Sequence, residues 1–453
     1  ERLATLDRIR AGQVAVVVGT RSAVFAPVPK LGLIILDEEH ETSYQQEAVP
    51  KYHAREVAMA RAFINKVPVI LGSATPSLES YYQARQGKQK LLVMGERVEQ
   101  RPLPQVLVAD LRAELKEGNA SVFSRLLQDK LRERLEQGEQ AILFLNRRGY
   151  ASLLHCRDCG QVIKCARCDV SLTYYAKQHC LKCHYCGYTR AVPPACPACH
   201  SPRLRPLGGG TEKVEQELLH LFPGARAIRL DSDTVRRKSD YYRLWEIFAK
   251  QEADIMIGTQ MVAKGLDFPG VTLVGVILAD QMLNFPDFRA RERTFQLLTQ
   301  VAGRAGRGSR PGEVVIQTYA PGDATIQAVV RHSYREFFAK EIKLRELLHY
   351  PPFSHILRIL VLGPDEEKCE TGGKEIGQQI NYYRGTAEVT VFGPTPAPLA
   401  KINNVYRWQL LLKGPDLKKM RQLVGSALRD VAQGGRLPRG IRVSLDIDPL
   451  GML

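Results

Sequence analysis

The sequence lacks any apolar run long enough to cross a membrane. Its longest runs, Leu31–Leu36 and Val271–Ala279, are about half of the roughly 20 residues that a spanning helix needs. No apolar segment follows the charged N-terminus, so we expect no secretory signal. Apolar residues make up 44% and charged residues 25% of the 453 residues. This composition is typical of globular domains, about three of them at this length, and it excludes wholesale disorder.

Cysteine is almost absent outside one segment. Nine of the ten cysteines lie between Cys156 and Cys199, and Cys369 stands alone. A secreted protein would spread its cysteines through a small oxidised domain. Clustered C-x-x-C pairs in a large chain without a signal indicate metal binding in a reducing compartment, so we expect a cytoplasmic location.

Acidic residues are too few to balance the basic ones. The chain has 64 Lys and Arg against 48 Asp and Glu, which gives a net charge of +16. Such an excess favours a polyanionic partner, because each phosphate contact releases counterions. We therefore expect binding to nucleic acid and to no membrane.

The order of apolar runs predicts an α/β fold. Over about residues 1–110, strands at Val14–Val18, Leu33–Leu36 and Val67–Leu71 alternate with a helix at His53–Asn65. The strands are apolar at successive positions, which is typical of a doubly wound parallel sheet covered on both faces.

A second α/β series begins at Ser124–Gln137 and Ala141–Leu145 and resumes after the cysteines, so the cysteine segment is predicted to be an insertion. The resumed elements are helices at Thr211–Leu221 and Tyr241–Ala249 and strands at Ala227–Leu230, Asp254–Gly258 and Val271–Leu278.

From about Tyr319 onward the pattern predicts a small α+β domain. It starts with a helix at Ala324–Leu348 and continues with a helix near Glu370–Arg384. Its predicted strands are His355–Leu362, Val389–Phe392, Trp408–Leu412 and Arg442–Asp446.

Two carboxylates follow the strand in the segment Leu33–His40, at the strand end where ligands bind in open α/β sheets. There Asp37 can hold a nucleotide-bound Mg²⁺ and Glu38 can polarise an attacking water. The alternative is an ordinary acidic turn after a strand.

Small hydroxyl residues follow the next strand, in Gly72–Ser77. Ser73 and Thr75 could link a nucleotide site to a moving element. The alternative is a helix N-cap, with Pro76 at the first helical position.

Paired arginines lie in the segment Gln300–Arg307. Arg304 and Arg307 are three residues apart, so they share one face of a helix. Two guanidinium groups on one face can clamp a γ-phosphate and stabilise the charge of its transition state.

These motifs, in this order and spacing, resemble those of the superfamily 2 helicases. In that family, a DEEH-type Walker B motif, an SAT motif and a QxxGRxGR arginine-finger motif build the nucleotide site. Gly258–Asp267 is similar to the motif that joins the nucleotide site to single-stranded DNA. Gly19–Ser22 is similar to an early DNA-contacting motif, and residues 141–151 resemble the opening of the second lobe.

Over nearly its whole length the chain resembles the bacterial replication-restart helicases of the primosome. The resemblance includes a double zinc insertion, the run Gly209–Glu212 and the segment Tyr350–Phe353. It implies an ATP-dependent 3′→5′ DNA helicase that recognises stalled or branched replication forks. Such a protein initiates primosome assembly to reload the replicative helicase, near the nucleoid.

The resemblance assigns roles to residues in this sequence. Those implied to be catalytic, with ATP and Mg²⁺, are Asp37, Glu38, Gln300, Arg304 and Arg307. Those implied to couple the nucleotide site to motion are His40, Ser73, Thr75, Gly265 and Asp267.

The resemblance also sets the domain boundaries. It implies two RecA-like lobes, an inserted cysteine-rich subdomain that binds two zinc ions, and a C-terminal α+β domain that binds DNA or partners. The boundaries are 1–120 for the C-terminal part of lobe 1, 121–152 and 206–320 for lobe 2, 153–205 for the insertion and 321–453 for the C-terminal domain.

The sequence departs from the family in one respect, because it contains no G-x-x-x-x-G-K-[ST] motif. The backbone amides and lysine of that motif cradle the nucleotide phosphates. We expect it to precede residue 1, and we expect this chain alone to bind nucleotide poorly and to be inactive.

The cysteine spacing predicts two structural Cys₄ zinc sites without an open coordination position. The triplet Cys180, Cys183 and Cys186 offers two choices, and we prefer Cys183 and Cys186 because Gly187 gives the tight turn backbone room, as Gly160 does after Cys159. Cys180 is then spare. The nearby histidines are expected to be bystanders: His155, His179, His184 and His200.

The pairing that we prefer follows from loop length. One site contains Cys165, Cys168, Cys183 and Cys186, and the outer pairs close a second site with Cys156, Cys159, Cys196 and Cys199. A cross-brace with alternate pairs is the other arrangement considered.

Candidate DNA contacts fall into two kinds. Tyr44 and Tyr52 lie on a loop and could stack on bases, although they could equally pack at the base of that loop. The candidates for backbone phosphates are Arg21, Arg147, Arg148, Thr259 and Lys264.

Two basic runs remain. Arg236–Lys238 is a possible DNA contact but is better explained as a solvated charge run. Lys413–Arg421, with Arg429, is a candidate site for an acidic partner tail such as that of single-strand-binding protein, among other primosome partners. The alternative function is a non-catalytic zinc scaffold that binds DNA and replication proteins.

Overall fold

The computed structural model describes residues 2–95, 102–145, 153–168, 170–175, 178–207, 211–231, 234–235, 237–259, 268–306, 308 and 310–451. The chain divides into two compact units. One contains residues 1–92 and 448–450, and the other contains residues 93–447 and 451–453. Among the described residues, no helix is both long and apolar enough to cross a membrane.

The first unit contains a short parallel sheet with helices around it. Its helices are α1 (Arg2–Arg10), α2 (Ala54–Asn65) and α3 (Leu78–Arg85), and its strands are β1 (Ile34–Leu36), β2 (Gln45–Gln46), β3 (Tyr52–His53) and β4 (Val69–Leu71). β1 and β4 pair in parallel, with Leu36 opposite Leu71. β2 and β3 form a small antiparallel hairpin. Short 3₁₀ helices span Arg21–Phe25 and Thr42–Tyr44.

Helix α2 has a stripe of small residues on its buried face. Ala54, Ala58 and Ala62 recur every fourth position and are buried, so this face can lie close to neighbouring backbone. His53 caps the helix, because its Nδ1 accepts a hydrogen bond from the Arg55 amide at 3.1 Å. The sequence prediction of this helix is therefore confirmed to within one residue.

The predicted strand at Val14–Val18 is wrong. The structure has no strand there, and Val16 and Val18 are 76% and 92% exposed. A strand needs a neighbour for its backbone hydrogen bonds, and no described residue of this unit pairs with this segment. The prediction that both faces of the sheet are covered also fails, since Ile35 is 62% exposed.

The second unit is built on a six-stranded parallel sheet in the order β12–β13–β6–β14–β15–β5. These strands are β5 (Gln105–Asp110), β6 (Gln140–Phe144), β12 (Ala227–Leu230), β13 (Ile255–Gly258), β14 (Val271–Val276) and β15 (Glu313–Thr318). The helices around it are α4 (Leu111–Lys116), α5 (Arg125–Glu136), α6 (Thr211–Leu221), α7 (Lys238–Ala249), α8 (Asp280–Leu283) and α9 (Ala290–Ala302). Every residue of β14 is buried, as expected for a central strand covered on both faces.

The edge strand β5 lies in the second unit, whereas the sequence boundaries placed residues 1–120 in the first lobe. It pairs in parallel with β15, from Gln105 opposite Glu313 to Asp110 opposite Thr318. The N-terminal segment of the first unit ends at Leu92. An apolar strand carries no local signal of which sheet it will join, so the boundary could not be placed from periodicity.

The cysteine segment lies between β6 and α6 and forms an antiparallel sheet of its own, so its prediction as an insertion is confirmed. Its strand order is β10–β9–β8–β7–β11. The strands are β7 (Leu153–Cys156), β8 (Thr173–Tyr175), β9 (Cys180–Lys182), β10 (Thr189–Ala191) and β11 (Leu204–Leu207).

The C-terminal part is α+β, also as predicted. Its antiparallel sheet has the order β17–β18–β16–β19. The elements are α10 (Ala324–Val330), α11 (Tyr334–Leu347), β16 (His355–Gly363), α12 (Glu366–Arg384), β17 (Thr390–Ile402), β18 (Val405–Gly414), α13 (Leu417–Gln433) and β19 (Arg442–Ile447).

One predicted helix, Ala324–Leu348, is in fact two. The chain turns at His332, whose φ of 50° is left-handed and ends α10. Ser333 then caps α11 by accepting a hydrogen bond from the Glu336 amide at 3.3 Å. Helical periodicity continues across the break, so the sequence pattern did not reveal it.

The cysteine module and the C-terminal domain share one hydrophobic core. Leu172, Leu181, Tyr350 and Leu411 belong to a single buried cluster. In the same interface, Gln409 Nε2 donates to the backbone oxygen of His184 at 2.6 Å. The module is therefore held by packing within the second unit and is not a loosely tethered insertion.

Candidate functional site

In the first unit, the predicted carboxylates directly follow β1. Asp37 is exposed, and its Oδ1 accepts a hydrogen bond from the Glu38 amide at 3.0 Å. Glu38 has a φ of 47°, so the chain turns sharply there. The Gly72 amide donates to the Leu36 oxygen at 2.8 Å and the Glu39 amide donates to the Gly72 oxygen at 3.0 Å, which aligns the ends of β1 and β4.

The three residues predicted to couple the nucleotide site to motion in this unit lie together. His40 Nδ1 is 2.7 Å from Ser73 Oγ, and that hydroxyl accepts a hydrogen bond from the Thr75 amide at 2.9 Å. His40 Nδ1 is also 3.6 Å from Glu38 Oε2. The loops that follow β1 and β4 are therefore joined through side chains.

Sequence reasoning missed Glu39, which is only 1% exposed. Its carboxylate binds Arg55, the amide and hydroxyl of Ser77, and the hydroxyl of Ser80. Burial works to lower the pKa of Arg55, but Glu39, Glu79 and Glu56 outweigh it and leave that pKa raised. A third acidic residue in an acidic run carries no sequence signal that it turns inward.

The loop that bears the predicted DNA-stacking tyrosines makes several contacts within the protein. The Tyr44 hydroxyl donates to the backbone oxygen of Asp37 at 2.8 Å. Burial, with Asp37, Glu41 and Glu38 nearby, raises the pKa of Tyr44. The Tyr52 ring meets Phe25 edge to face at 5.0 Å.

Arg21 also binds this loop. Its Nη1 donates to the backbone oxygens of Ser43 and Gln45 at 3.0 and 2.6 Å. Both tyrosines and Arg21 therefore make contacts within the protein at this loop.

In the second unit, Gln300 lies in the last turn of α9 and Arg304 follows that helix, half-buried. Burial and Tyr242 raise the pKa of Tyr241, and the positive charge of Arg304 opposes this rise. Thr259 directly follows β13. The remaining predicted residues fall outside the described part of the chain: Arg147, Arg148, Lys264, Gly265, Asp267 and Arg307.

The eight predicted metal-binding cysteines come together in two groups of four. One group is Cys156, Cys159, Cys196 and Cys199, and the other is Cys165, Cys168, Cys183 and Cys186. Within each group all sulfur atoms lie within 4.8 Å of one another. This grouping is the one that we preferred from the loop lengths, and the cross-brace does not occur.

The sulfur separations suit a tetrahedral zinc ion. A Zn–S bond of about 2.3 Å places two ligand sulfurs of a tetrahedron about 3.8 Å apart. The sulfurs of Cys156 and Cys199 are 3.6 Å apart and those of Cys165 and Cys186 are 3.7 Å apart. A disulfide would bring two sulfurs to about 2.05 Å. Four thiolates at these distances therefore fit zinc, with no ligand position left open.

Three of the four metal-binding turns have a left-handed residue after the second cysteine, and the residue after Cys168 lies outside the described part of the chain. Gly160, Gly187 and His200 have φ values of 77°, 74° and 58°. Their amides donate to the backbone oxygens of Cys156, Cys183 and Cys196 at 2.9, 3.0 and 2.9 Å. The sequence pointed to the two glycines but not to His200.

The spare cysteine and the histidines lie outside both groups. Cys180 Sγ contacts Gln178 Oε1 at 3.6 Å. Burial lowers the pKa of His155 and of His184 to about 4, so both rings are neutral near pH 7. His155 Nδ1 lies 3.0 Å from the backbone oxygen of Arg205.

Two tyrosines anchor the second cysteine group: Tyr185, which sequence reasoning did not single out, and Tyr350, the first residue of the segment Tyr350–Phe353. The Tyr185 hydroxyl accepts a hydrogen bond from the Phe288 amide at 3.2 Å, just before α9. The Tyr350 hydroxyl donates to the Cys168 backbone oxygen at 3.1 Å, and its ring stacks on Phe288 at 4.5 Å. This cysteine group is thus joined to the parallel-sheet domain and to the C-terminal domain.

The basic run near the C-terminus is only partly available to a partner. Lys413 Nζ donates to the Leu348 oxygen at 2.9 Å and lies 4.8 Å from the centre of the Tyr350 ring. Burial lowers the pKa of Lys413. Lys418, Lys419 and Arg421 are exposed on α13.

Comparison with known proteins gives three matching family models. Residues 165–190 match the PriA DNA helicase Cys-rich region domain, and residues 346–450 match the primosomal protein N C-terminal domain. Residues 209–309 match the helicase conserved C-terminal domain. The replication restart protein PriA of Treponema pallidum is 38% identical over all of this chain, which covers 67% of that protein. The chain belongs to the PriA family of replication restart proteins.

Two other PriA proteins have a higher sequence identity to this chain, and the chain spans a smaller share of their length. The Bacillus subtilis protein is 46% identical over 98% of this chain, and the Synechocystis protein is 45% identical over 100% of it. In both cases the chain spans 55% of the relative's length. A solved structure of S. cerevisiae Dbp5 bound to RNA and ADP BeF3 covers 76% of the chain at 13% identity. Its TM-score is 0.33, too low to support an argument.

Proposed function

We propose that the full-length protein is an ATP-dependent 3′→5′ DNA helicase that recognises stalled or branched replication forks and initiates primosome assembly. Membership of the PriA family and the match to a helicase C-terminal domain support this proposal. The observation that carries it is the hydrogen bond of 2.7 Å between His40 Nδ1 and Ser73 Oγ. It ties the strand-end carboxylates to the loop after β4, as a nucleotide-driven motor requires.

In this proposal, the residues that the resemblance implies to be catalytic act on the bound nucleotide. Asp37, an exposed carboxylate at the carboxyl end of a parallel strand, would bind the Mg²⁺ of ATP, and Glu38 would orient the attacking water. Arg304, with Arg307 and Gln300, would supply positive charge to the γ-phosphate. His40, Ser73 and Thr75 would relay the state of the nucleotide, together with Gly265 and Asp267.

The test is ATP hydrolysis by the full-length protein, including any sequence that precedes Glu1, with and without single-stranded DNA. Arg304→Ala should lower the DNA-stimulated rate by at least about 10³-fold, the range found for arginine fingers. Arg335→Ala removes an exposed arginine from α11 and is the matched control, with no expected change. Wild-type turnover in Arg304→Ala would overturn the motor assignment.

A second candidate is a non-catalytic zinc scaffold that binds DNA and replication proteins. The continuous core between the cysteine module and the C-terminal domain favours it, because that core would present a rigid binding surface. The same assay separates the two candidates, since a scaffold hydrolyses no ATP.

We also propose the nucleic-acid and protein partners. The net charge of +16 favours single-stranded and forked DNA, and the proposed contacts are Arg21, Tyr44, Tyr52, Arg147, Arg148, Thr259 and Lys264. Single-strand-binding protein and other primosome proteins are the proposed protein partners, in the cytoplasm near the nucleoid. Binding of single-stranded DNA that did not weaken with rising salt would contradict the phosphate contacts.

The cysteine groups are proposed to hold two structural Zn²⁺ ions per chain. Elemental analysis should find about two zinc ions per chain in the wild type and in Cys180→Ser, and about one in Cys183→Ser. Loss of zinc from Cys180→Ser would show that Cys180 is a ligand and overturn the assignment.

A further inference from the structure

Glu39 belongs to the acidic run after β1, yet its carboxylate is fully used inside the protein. Oε1 accepts the Ser77 amide at 2.6 Å. Oε2 accepts the Ser77 hydroxyl at 3.2 Å, the Ser80 hydroxyl at 3.0 Å and Arg55 Nη1 at 3.0 Å. A carboxylate has about four lone-pair sites. With four donors and 1% exposure, Glu39 is neither a general base nor a metal ligand.

The partner of Glu39 lies where the tyrosine-bearing loop, residues 41–53, leads into a helix. Arg55 is the second residue of α2, and His53 caps that helix. The other end of the loop is held by the Tyr44 hydroxyl, which donates to the Asp37 oxygen. Both ends of the loop are therefore bound to the segment Asp37–Glu39.

Three elements meet at the Glu39 carboxylate. Glu39 lies in the turn that follows β1, α2 brings Arg55, and α3 begins at the Ser77 cap, with Ser80 in its first turn. Arg55 Nη1 also donates to the Ser77 and Ser80 hydroxyls at 2.9 and 2.8 Å. Moving the start of α2 away from β1 would separate a buried ion pair, which is costly. The ion pair therefore opposes a separation of the two segments.

We propose that Glu39 and Arg55 form a positioning pair that couples single-stranded DNA on the 41–53 loop to the Asp37 and Glu38 carboxylates. DNA that shifts the loop would move α2, and the ion pair would pass that movement to the strand end. This inference rests on the proposed function, because it requires an ATPase that DNA stimulates.

The readout is the stimulation ratio, which is the ATP turnover of the full-length protein with saturating single-stranded DNA divided by the turnover without DNA. Glu39→Gln and Arg55→Gln should each lower this ratio by at least about fivefold, a typical coupling between two sites. The turnover without DNA and the affinity for single-stranded DNA should stay close to wild type. The double variant should lose no more than either single variant, because the two residues act as one unit.

Glu56→Gln is the matched control. Glu56 Oε1 also binds Arg55, through Nε at 3.3 Å, but its side chain is 70% exposed. An exposed ion pair contributes little, so this variant should keep the full stimulation ratio. Ser80→Ala is a second control, because it removes hydrogen bonds at the same carboxylate and leaves the charge pair intact. It should lower the melting temperature and keep the ratio.

Each result decides a different claim. An unchanged ratio in folded Glu39→Gln would overturn the inference, and so would an equal loss of turnover with and without DNA, which would indicate a purely structural role. If the wild type hydrolyses no ATP under any condition, the proposed function itself fails. If Glu39→Gln does not fold, Arg55→Lys, which keeps the charge but not the geometry, should lower the ratio in its place. A wild-type ratio in Arg55→Lys would then overturn the inference.

Discussion

Replacing Gly160 by alanine should destabilise the second unit far more than the same change at Gly187. Both glycines follow the second cysteine of a metal-binding turn, and both are left-handed, with φ of 77° and 74°. They differ in what a side chain would meet. A Cβ at Gly160 would lie 2.2 Å from the backbone oxygen of Tyr319, while at Gly187 it would lie 3.6 Å from the Thr395 side chain.

The magnitude follows from two separate contributions. A left-handed alanine costs about 1–2 kcal/mol relative to glycine, and this contribution is common to both variants. Forcing extra volume into a packed site costs about 1–3 kcal/mol more, and only Gly160→Ala incurs this cost, because backbone cannot rotate away as a flexible side chain can. We expect losses of about 2–5 kcal/mol for Gly160→Ala and about 1–2 kcal/mol for Gly187→Ala.

The assay is urea denaturation of the zinc-loaded protein, followed by far-UV circular dichroism, with zinc content measured in parallel. Gly138→Ala is a third variant, since Gly138 has a φ of 67° and open space around its Cβ position. It reports the backbone contribution alone. Equal losses in Gly160→Ala and Gly187→Ala would refute the close approach between the first cysteine group and Tyr319.

Three further predictions concern the junction between the parallel sheet and the C-terminal domain. Burial raises the pKa of Glu341 to about 7, although the charge of Arg345 opposes this rise. The folded state therefore binds the Glu341 proton more tightly than the unfolded state does. The free energy of unfolding should consequently fall as pH rises from about 4.5 to about 7. Glu341→Gln should reduce this fall in urea denaturation across that range, and an unchanged profile would contradict the assignment. Arg345→Met should cost about 3–5 kcal/mol, because it removes the opposite charge that lies 2.6 Å from the buried Glu292 carboxylate; adding Glu292→Leu should recover part of the loss, and no recovery would count against the pair. Tyr350→Phe should cost about 1 kcal/mol through the lost hydrogen bond to Cys168, and a calorimetric melting temperature equal to wild type would show that the bond contributes nothing.

Several parts of the fold could be predicted from sequence because local chemistry determines them. Continuous apolar runs predicted the buried parallel strands, and β14 is buried at every position. Cysteine spacing and the following glycines predicted the two tetrathiolate groups, since the reach of a C-x-x-C turn limits which sulfurs can meet.

The parts that sequence missed depend on partners far along the chain. Val14–Val18 reads as a strand, but a strand exists only with a neighbour, and none of the described residues supplies one. β5 joined the second sheet through β15, a pairing that its own residues do not encode. Sequence reasoning gave roles to Asp37 and Glu38 but none to Glu39, whose buried position depends on contacts with Arg55, Ser77 and Ser80.

The most direct measurement of the central claim is the unwinding of partial duplexes by the full-length protein with ATP, using DNA with either a 3′ or a 5′ single-stranded tail. If the protein is a replication-restart helicase of the proposed polarity, the 3′-tailed duplex should be unwound and the 5′-tailed duplex should remain intact. Unwinding of only the 5′-tailed duplex would contradict the polarity, and unwinding of neither would contradict the helicase assignment.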